Sequence, residues 1–416
     1  MEIKKLLCKT RVLKGELNLP TSKSISNRVL IIRALSKSHF PIHNLSQAND
    51  SVLMQKLLLE VETNIDHQEP LILDAQDAGT VLRFLTAFLS VKNGSFILTG
   101  SQRMQQRPIE ILVDALRELG ADIIYQNKEG FPPLLIHGKK LSSKQLQIQA
   151  NISSQFISAL LMIAPLLPNG LDIHFNEQPT SLPYIKITVE LMREYGIAVE
   201  FNNQNITVQA GEYSHKATVV ESDWSAASFW YQSVAFSKEG QLLLKGLKLD
   251  SVQGDAILTK IFEELGVKSS EIDKGIILEK SDSINYNFNY DFSHHPDLAL
   301  PVIATCAGLG VIGKFSGLAS LKIKESNRIE VLETELAKLG FDFRETGENE
   351  WVLINSCKVS NTKYDFSDII INTYNDHRVA MSFAPFAILG KSIQIENPEV
   401  VRKSYPQFWD EFERVI

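Results

Sequence analysis

This sequence of 416 residues has few cysteines, no long apolar run and no excess of positive charge. Its three cysteines, Cys8, Cys306 and Cys357, have neither a paired nor a metal-type spacing, which indicates a reducing, cytoplasmic compartment. No apolar run approaches the length of a membrane span, and charges interrupt the N-terminus, so neither an anchor nor a signal peptide is expected. The formal net charge of −7 argues against a general nucleic-acid binder. Any anionic ligand must therefore be held by a local cluster of cations.

A pattern recurs along the chain: an amphipathic helix ends in an apolar residue and a glycine, and a strand, a polar turn and a second strand follow. The glycines are Gly120, Gly196, Gly266 and Gly340, spaced by roughly 73 residues. Glycine is expected there because a left-handed residue commonly ends a helix that turns into a strand. Each repeat also holds a more apolar, more buried helix, predicted over residues 80–90, 154–167, 225–236, 297–309 and 377–389.

With a further pair of helices at 24–35 and 49–59, six helix pairs fill the chain. The first unit looks shortened, and the last ends on a helix over 405–416 with no strands after it. An N-terminal hairpin, made by residues 3–9 and 11–19, is predicted to complete this sixth unit.

That closure predicts a discontinuous domain of residues 1–19 plus 221–416 and a second domain of residues 20–220. The chain would cross between them near 20–23 and 220–225. A cleft between two domains is a common place for a small ligand.

The predicted helix starts are rich in groups that suit phosphate and carboxylate. The segment PTSKSISNR, residues 20–28, runs from a predicted strand into a helix, where N–H groups, hydroxyls and cations favour an anion. In a second segment, Arg107 precedes Pro108, which is predicted at a first helical position. Similar starts occur at residues 77–80 with Arg83, 153–155, 181–184, 294–297, 324–328, 375–378 and 402–403.

Each start taken alone also has a structural explanation. Serine and Asn-Asp before a helix are ordinary caps, and Arg107 could be solvated at a helix entry. His377 is more often a packed or capping histidine than a base. The pair His294 and His295 has no partner one turn on, so a zinc site is not expected. Only the joint pattern favours a multiply anionic ligand.

The motifs SKSISNR, DAGT, QRPI, SSQF, LPYI, PDLA, KESNR, TYNDHR and RKSYP occur in an order and spacing that resembles 5-enolpyruvylshikimate-3-phosphate synthases. The resemblance spans Lys23 to Lys403. It implies an α/β (α+β) protein with the two-domain enolpyruvyl transferase fold. In that fold each domain contains three βαβαββ units in an inside-out α/β barrel, with a cleft between the domains.

The activity implied is transfer of the enolpyruvyl (carboxyvinyl) group from phosphoenolpyruvate to the 5-hydroxyl of shikimate 3-phosphate. Phosphate is released after addition and elimination through a tetrahedral intermediate, on the shikimate pathway to chorismate and aromatic amino acids. The resemblance implies no cofactor or metal, no nucleic-acid or membrane partner, a cytoplasmic location and a monomer.

The resemblance also assigns roles to residues. Asp297 is implied as the base near the 5-hydroxyl, Glu325 as the proton donor to the methylene, and Lys23 as a residue between both substrates. The residues implied for shikimate 3-phosphate are Lys23, Ser24, Arg28, Ser153, Ser154, Gln155, Ser181, Tyr184, Asp297, Ser320 and Lys324. Those implied for phosphoenolpyruvate are Lys23, Gly79, Arg107, Gln155, Arg328, His377, Arg378 and Lys403.

Three positions depart from the family's common pattern: Asp77 replaces Asn, Phe84 replaces Pro, and Ser320 replaces Asn.

Two alternative functions are also considered beside this transferase activity. A related transferase that acts on UDP-N-acetylglucosamine usually has Asn after the early Lys and a reactive loop Cys, whereas here Ser24 follows Lys23 and no Cys lies between Cys8 and Cys306. The other is a catalytically inactive scaffold, which the presence of both Asp297 and Glu325 disfavours.

Overall fold

The computed structural model describes residues 2–36, 39–64, 69–142, 144–149, 153–177, 179–202, 204–354, 366–390 and 392–416. Cys357 lies outside them. The strands are β1 Ile3–Leu7, β2 Val12–Asn18, β3 Ile42–His43, β4 Leu71–Asp74, β5 Gly94–Thr99, β6 Asp122–Tyr125, β7 Leu134–Gly138, β8 Gln145–Ile148, β9 Leu171–Phe175, β10 Val199–Phe201, β11 Asn205–Val208, β12 Thr218–Val219, β13 Glu239–Lys245, β14 Leu265–Ile272, β15 Gly275–Ile284, β16 Asn287–Asp291, β17 Ile312–Ser316, β18 Asp342–Gly347, β19 Glu350–Ile354, β20 Ile370–Ile371 and β21 Ser392–Glu396.

The α-helices are α1 Lys23–Leu35, α2 Asn49–Thr63, α3 Gly79–Ser90, α4 Glu110–Glu118, α5 Ser154–Ile163, α6 Leu182–Glu194, α7 Trp224–Phe236, α8 Leu258–Glu263, α9 Ala299–Leu309, α10 Arg328–Lys338, α11 His377–Phe383, α12 Phe386–Leu389 and α13 Phe408–Val415. Short 3₁₀ turns matter for the site at Gly254–Ile257, Pro296–Leu298, Ala319–Ile323 and Pro398–Lys403.

The chain divides into two compact units. Unit I contains Met1–Thr21 and Glu221–Ile416, and unit II contains Ser22–Val220. Each has its own hydrophobic core. The chain thus leaves unit I after β2 and re-enters it just before α7, so unit II is an insertion between two consecutive elements of unit I.

One strand order recurs in both units. In unit II, β4 runs parallel to β5, and β7 pairs antiparallel with β5 and β6; β8, β9, β11 and β10 repeat this order. In unit I the same order is found for β16, β17, β19, β18 and for β2, β13, β15, β14. The two remaining sheets of the described residues are shorter, β1-β21-β20 in unit I and β12-β3 in unit II. Of the six predicted βαβαββ units, the first and the last are therefore incomplete.

The most apolar helices lie inside each unit. Nearly every residue of α3, α5, α7 and α9 is buried. In unit II α3 packs against α5, and in unit I α9 packs against α7 and α11. A helix that is apolar on all sides must be covered on all sides, whereas a sheet with one apolar face can leave the other face in water.

The four repeat glycines adopt the predicted left-handed conformation. Their φ angles are 94° at Gly120, 87° at Gly196, 83° at Gly266 and 86° at Gly340. The repeat inferred from sequence periodicity is therefore confirmed at its turning points.

Three local predictions were wrong. The N-terminal segments do not form a hairpin: β1 joins β21 in the last sheet, while β2 runs parallel to β13 in a different sheet. Both strands need apolar partners, and the short link between Leu7 and Val12 lets the chain change sheets. Pro108 is not at a first helical position, because α4 begins at Glu110 with Ile109 as its N-cap. Lys403 ends a 3₁₀ turn rather than starting the final helix, which begins at Phe408.

Candidate active site

Arg328 is the centre of a charged cluster in unit I. It is the first residue of α10, and its side chain is only 1% exposed. Its Nε lies 2.8 Å from Asp376 Oδ2, its Nη2 3.1 Å from Glu325 Oε2, and its Nη1 3.3 Å from Asp297 Oδ1. Burial lowers the pKa of Arg328, but the charges of the carboxylates outweigh that effect and raise it above its ordinary value. The predicted base and the predicted proton donor thus share one guanidinium.

A second arginine holds Asp297. Arg378 Nη2 lies 3.1 Å from Asp297 Oδ2, and Arg378 Nη1 donates to the backbone oxygen of Asp297 at 3.2 Å. Burial alone would raise the pKa of Asp297, but the charges of Arg378, Lys324 and Arg328 hold it well below its usual range. Asp297 is therefore an ionised carboxylate bound between cations.

Glu325 also contacts a second cation, since Lys403 Nζ lies 3.2 Å from its Oε1. Four cations, Arg328, Arg378, Lys403 and Lys324, thus act on three carboxylates, those of Asp297, Glu325 and Asp376. This concentration of cations in one place favours an anionic ligand.

Asp376 was not predicted as a site residue, although the Asn-Asp pair was interpreted as a helix cap. That cap is present: the Asp376 carboxylate accepts from the Arg378 backbone N–H at 3.0 Å at the start of α11. The same carboxylate takes two bonds from Arg328 and one, at 3.1 Å, from the Ser326 hydroxyl. The long sequence separation between Asp376 and Arg328 leaves no local signal from which this pairing could be read.

His377 is buried, and its Nδ1 lies 3.7 Å from Asp376 Oδ1. Ser320, by contrast, is exposed in the 3₁₀ turn Ala319–Ile323, and no hydrogen bond of its hydroxyl to the cluster is observed among the described residues. The structure therefore brings His377 to the cluster and leaves Ser320 at its margin.

Asp255 is a further buried carboxyl that sequence reasoning missed. It is 4% exposed, and the hydroxyl of Ser225, near the start of α7, donates to its Oδ2. Burial raises the pKa of Asp255 to about 7, and the charge of Asp297 adds to the rise, while Ser225 and Arg378 oppose it. The only sequence signal was its position next to Gly254 in a loop between two predicted elements.

In unit II, Arg28 is buried and held by neutral oxygens. Its Nε donates to Thr188 Oγ1 at 2.7 Å, its Nη1 to the Ser24 backbone oxygen at 2.8 Å, and its Nη2 to Ser158 Oγ and the Tyr184 backbone oxygen at 3.2 and 3.1 Å. No carboxylate of the described residues forms an ion pair with it. Burial lowers the pKa of Arg28 to about 10, so the guanidinium remains charged at neutral pH.

Lys23 opens α1 behind the N-cap Ser22 and pairs with Asp50 Oδ2 at 3.1 Å. Asp50 lies in the first turn of α2 and is nearly buried. This helix start was predicted from the sequence. The ion pair was not, and it fixes the amine of Lys23 relative to the start of α2.

Two guanidinium groups meet at the start of α3. A methyl group placed on Gly79 would lie 2.6 Å from Arg107 Nη1 and 2.8 Å from Arg83 Nη1. Arg83 Nη1 also donates to Gln155 Oε1 at 2.6 Å, and Gln155 Nε2 donates to Thr80 Oγ1 at 3.1 Å. The buried Nε of Arg107 has no hydrogen-bond partner among the described residues. Two cations and a helix N-terminus together favour a multiply charged anion.

The other predicted residues of unit II surround these groups at helix starts. Ser153 is the N-cap of α5, whose first residue is Ser154. Ser181 is the N-cap of α6 and has a left-handed φ of 54°. Tyr184 lies in the first turn of α6 and contributes its backbone oxygen to Arg28.

Asp77 and Phe84, two of the residues that depart from the family's common pattern, each have a partner in the structure. The carboxylate of Asp77 accepts from the hydroxyl of Ser101. Phe84 is buried, and the Arg28 guanidinium lies over its ring at 5.4 Å from the ring centroid. The face of an aromatic ring attracts a cation, and the ring of a proline has no such π face.

Among the described residues, no group of three or more His, Cys, Asp or Glu side chains could hold a metal ion. Nor does any helix in this part of the chain have the length and apolar character needed to cross a membrane.

The sequence model of the EPSP synthase (3-phosphoshikimate 1-carboxyvinyltransferase) family matches residues 8–412. A 3-phosphoshikimate 1-carboxyvinyltransferase of Bacteroides fragilis is 44% identical over 98% of this chain and 97% of its own length. One from Buchnera aphidicola subsp. Cinara cedri is 35% identical over 96% of this chain and 94% of its own. An EPSP synthase structure from Acinetobacter baumannii superposes with a TM-score of 0.78 at 20% identity, covering 100% of this chain and 98% of that one. This likeness confirms the predicted two-domain enolpyruvyl transferase fold, and the sequence matches show that the chain belongs to the EPSP synthase family.

Proposed function

We propose that this chain transfers the carboxyvinyl group of phosphoenolpyruvate to the 5-hydroxyl of 3-phosphoshikimate and releases inorganic phosphate. The observation that carries the proposal is the sharing of Arg328 between Asp297 and Glu325. The reaction needs a base and an acid near one anionic substrate, and this arrangement supplies all three requirements.

The reaction is an addition followed by an elimination. The 5-hydroxyl oxygen bonds to C2 of phosphoenolpyruvate and loses its proton, while C3 gains a proton. The resulting tetrahedral intermediate then loses phosphate from C2 and a proton from C3, which restores the double bond. No electrons are transferred and no cofactor is needed.

Asp297 is proposed as the base, and its cations control its basicity. A carboxylate whose pKa is held low is a weak base. An anion that binds Arg328 and Arg378 competes with Asp297 for the same N–H donors, because each guanidinium has a fixed number of them. The basicity of Asp297 should therefore rise when phosphoenolpyruvate binds.

Glu325 is proposed as the proton donor to the methylene carbon. Its two cations, Arg328 and Lys403, favour the carboxylate form. We infer that Glu325 takes up its proton when Arg328 and Lys403 bind the substrate anion in place of the Glu325 carboxylate. The same substrate would then prepare both the base and the acid.

The remaining residues are proposed to bind and orient the substrates. Arginine suits both phosphate and carboxylate because its planar fork donates two parallel bonds. For phosphoenolpyruvate the proposed contacts are Lys23, Gly79, Arg107, Gln155, Arg328, His377, Arg378 and Lys403. For 3-phosphoshikimate they are Lys23, Ser24, Arg28, Ser153, Ser154, Gln155, Ser181, Tyr184, Asp297 and Lys324, with Ser320 at the margin.

We also propose that the enzyme acts as a monomer in the cytoplasm. A single chain supplies every proposed substrate contact, and the wide spacing of its cysteines suits a reducing compartment.

Replacing Glu325 with Gln tests the proposed acid. Gln keeps an oxygen acceptor for either Arg328 or Lys403, but not for both, and it carries no transferable proton, so kcat should fall by roughly 100-fold or more. Binding of 3-phosphoshikimate, measured by calorimetry, should be nearly unchanged. Glu330→Gln is the matched control, since Glu330 is an exposed glutamate five residues further on, in the first turn of α10, and its variant should retain full activity. Equal loss of binding and turnover in Glu325→Gln would refute the role of proton donor.

A further inference from the structure

A tight turn leads into the arginine-bearing helix α11. The backbone N–H of Asp376 donates to the oxygen of Thr373 at 2.8 Å, and the two residues between them, Tyr374 and Asn375, have φ angles of 53° and 56°. Positive φ at both central positions is the mark of a type I′ turn, which favours Asn and Gly. Tyr at the first of these positions is unusual, because a bulky side chain is strained in the left-handed region.

A buried carboxylate on α10 holds this turn. Glu335 is 0% exposed. Its Oε1 accepts from the hydroxyl of Tyr374 at 2.7 Å, and its Oε2 accepts from the backbone N–H of Asn372 at 3.3 Å. Lys338 Nζ lies 2.8 and 2.7 Å from the two carboxylate oxygens and also donates to the Ile370 backbone oxygen at 3.2 Å. The segment before α11 is thus attached to α10 at three successive points.

Asp376 completes the attachment from the other end of α10. It pairs with Arg328 at the first residue of that helix, while Glu335 contacts Tyr374 two turns later. Helix α10 therefore contacts the turn through both of its ends. Because Asp376 is the N-cap of α11 and Arg378 is the second residue of that helix, the position of Arg378 relative to Arg328 depends on the conformation of the turn.

We propose that Glu335 and Tyr374 are positioning residues for substrate binding, which hold the strained turn so that Arg378 and Arg328 face the same anion. This inference rests on the proposed function only in naming phosphoenolpyruvate as that anion. Neither residue is expected to touch a substrate. Tyr374 is 41% exposed, but partial desolvation of its phenol and its bond to the Glu335 carboxylate raise the pKa of Tyr374, so its hydroxyl remains a donor at neutral pH.

Two variants at one position separate the hydroxyl bond from the strain. Tyr374→Phe removes the bond and keeps a bulky residue at positive φ, so the turn should relax and the KM for phosphoenolpyruvate should rise by about tenfold. The KM for 3-phosphoshikimate and kcat should stay close to wild type. Tyr374→Gly also lacks the hydroxyl, but glycine adopts positive φ without strain, so the KM for phosphoenolpyruvate should be largely restored. Tyr286→Phe, at an exposed tyrosine of the same unit, is the control and should change nothing.

Hydrogen exchange provides a readout that needs no turnover. A peptide spanning residues 373–378 should exchange faster in Tyr374→Phe than in wild type and recover protection in Tyr374→Gly. If Tyr374→Phe does not fold, Glu335→Gln tests the same contact with a smaller effect in the same direction. Unchanged exchange and KM in Tyr374→Phe, or equal impairment of the Phe and Gly variants, would overturn the inference. A wild-type enzyme without activity would refute the proposed function instead. The hydrogen-exchange result would still decide whether Glu335 and Tyr374 hold the turn.

Discussion

Among single residues, the Arg328 cluster of unit I and Arg28 of unit II differ in how their positive charge is balanced. Arg328 binds three carboxylates, and Asp297 is bound by two arginines. In unit II, by contrast, Arg28 is held by neutral oxygens, so its charge is not cancelled by a carboxylate of the described residues. An anionic substrate would complete the charge balance differently in each unit. It would compete with carboxylates in unit I and meet an uncompensated cation in unit II.

Gly79 is a position at which an added side chain would displace two guanidinium groups. In Gly79→Ala the new methyl group would overlap Arg107 Nη1 at 2.6 Å and Arg83 Nη1 at 2.8 Å, so both side chains must move. Loss of one charge-assisted hydrogen bond from a displaced guanidinium to the substrate anion costs roughly 1.5 to 3 kcal/mol, which corresponds to an increase of about 10- to 150-fold in the KM for phosphoenolpyruvate. Steady-state kinetics at saturating 3-phosphoshikimate measures this effect.

The matched control is Gly211→Ala in the same unit, where a methyl group would meet only Ile197 Cδ1 at an ordinary 3.5 Å. It should leave both KM values unchanged. If Gly79→Ala behaved like Gly211→Ala, Gly79 and Arg107 would not be part of the phosphoenolpyruvate site.

The site residues that could be predicted from sequence depend on their neighbours in the chain, and those that were missed depend on distant residues. Helix starts such as Ser153 and Ser181 are local signals, because a cap is decided by its neighbours in the chain. Asp50, Asp255 and Asp376 were missed because each acts on a residue far away in sequence. Such contacts exist only once the fold brings distant segments together.

At the scale of elements, Asp255 links the 3₁₀ turn Gly254–Ile257 to the start of α7 through Ser225. Its pKa of about 7 lies above that of an exposed aspartate, so between pH 4 and 7 the folded chain binds a proton that the unfolded chain has lost. Stability contributed by this group is therefore present at low pH and lost as the pH rises towards 7.

Asp255→Asn removes this dependence, since the amide does not ionise. Relative to wild type, the variant should gain on the order of 2 kcal/mol in free energy of unfolding between pH 5 and pH 8. Urea unfolding at the two pH values measures the difference. Asp250→Asn, at an exposed position of the same unit, should show no such gain. Parallel pH profiles for wild type and Asp255→Asn would show that the carboxyl titrates normally.

Element-level prediction succeeded where periodicity alone decides structure and failed where partners are distant. The glycines at the helix ends and the buried helices near 80–90 and 225–236 were predicted, and the structure confirms them, whereas the helix predicted over 377–389 is divided into α11 and α12. The N-terminal hairpin did not form, because the choice between a local partner and β13 or β21 depends on sheets formed much later in the chain. Alternating apolar residues identify a strand but not its neighbour.

At the scale of the whole molecule, the chain makes two units of related design by inserting one into the other. The terminal strands β1 and β2 both pair with strands contributed by residues beyond 238, so unit I requires the two ends of the chain together. The repeat count made this discontinuity predictable, since the last unit lacked strands that the N-terminus could supply. The family was also predictable, because nine motifs in one order are far more specific than any one of them.

Release of inorganic phosphate by the full chain tests whether the enzyme joins phosphoenolpyruvate to 3-phosphoshikimate. It is measured with each substrate alone, with both together, and with UDP-N-acetylglucosamine in place of 3-phosphoshikimate. Phosphate release is expected only when phosphoenolpyruvate and 3-phosphoshikimate are both present, with a matching amount of enolpyruvyl ether product. Release with UDP-N-acetylglucosamine instead, or no release with both proposed substrates, would contradict the account.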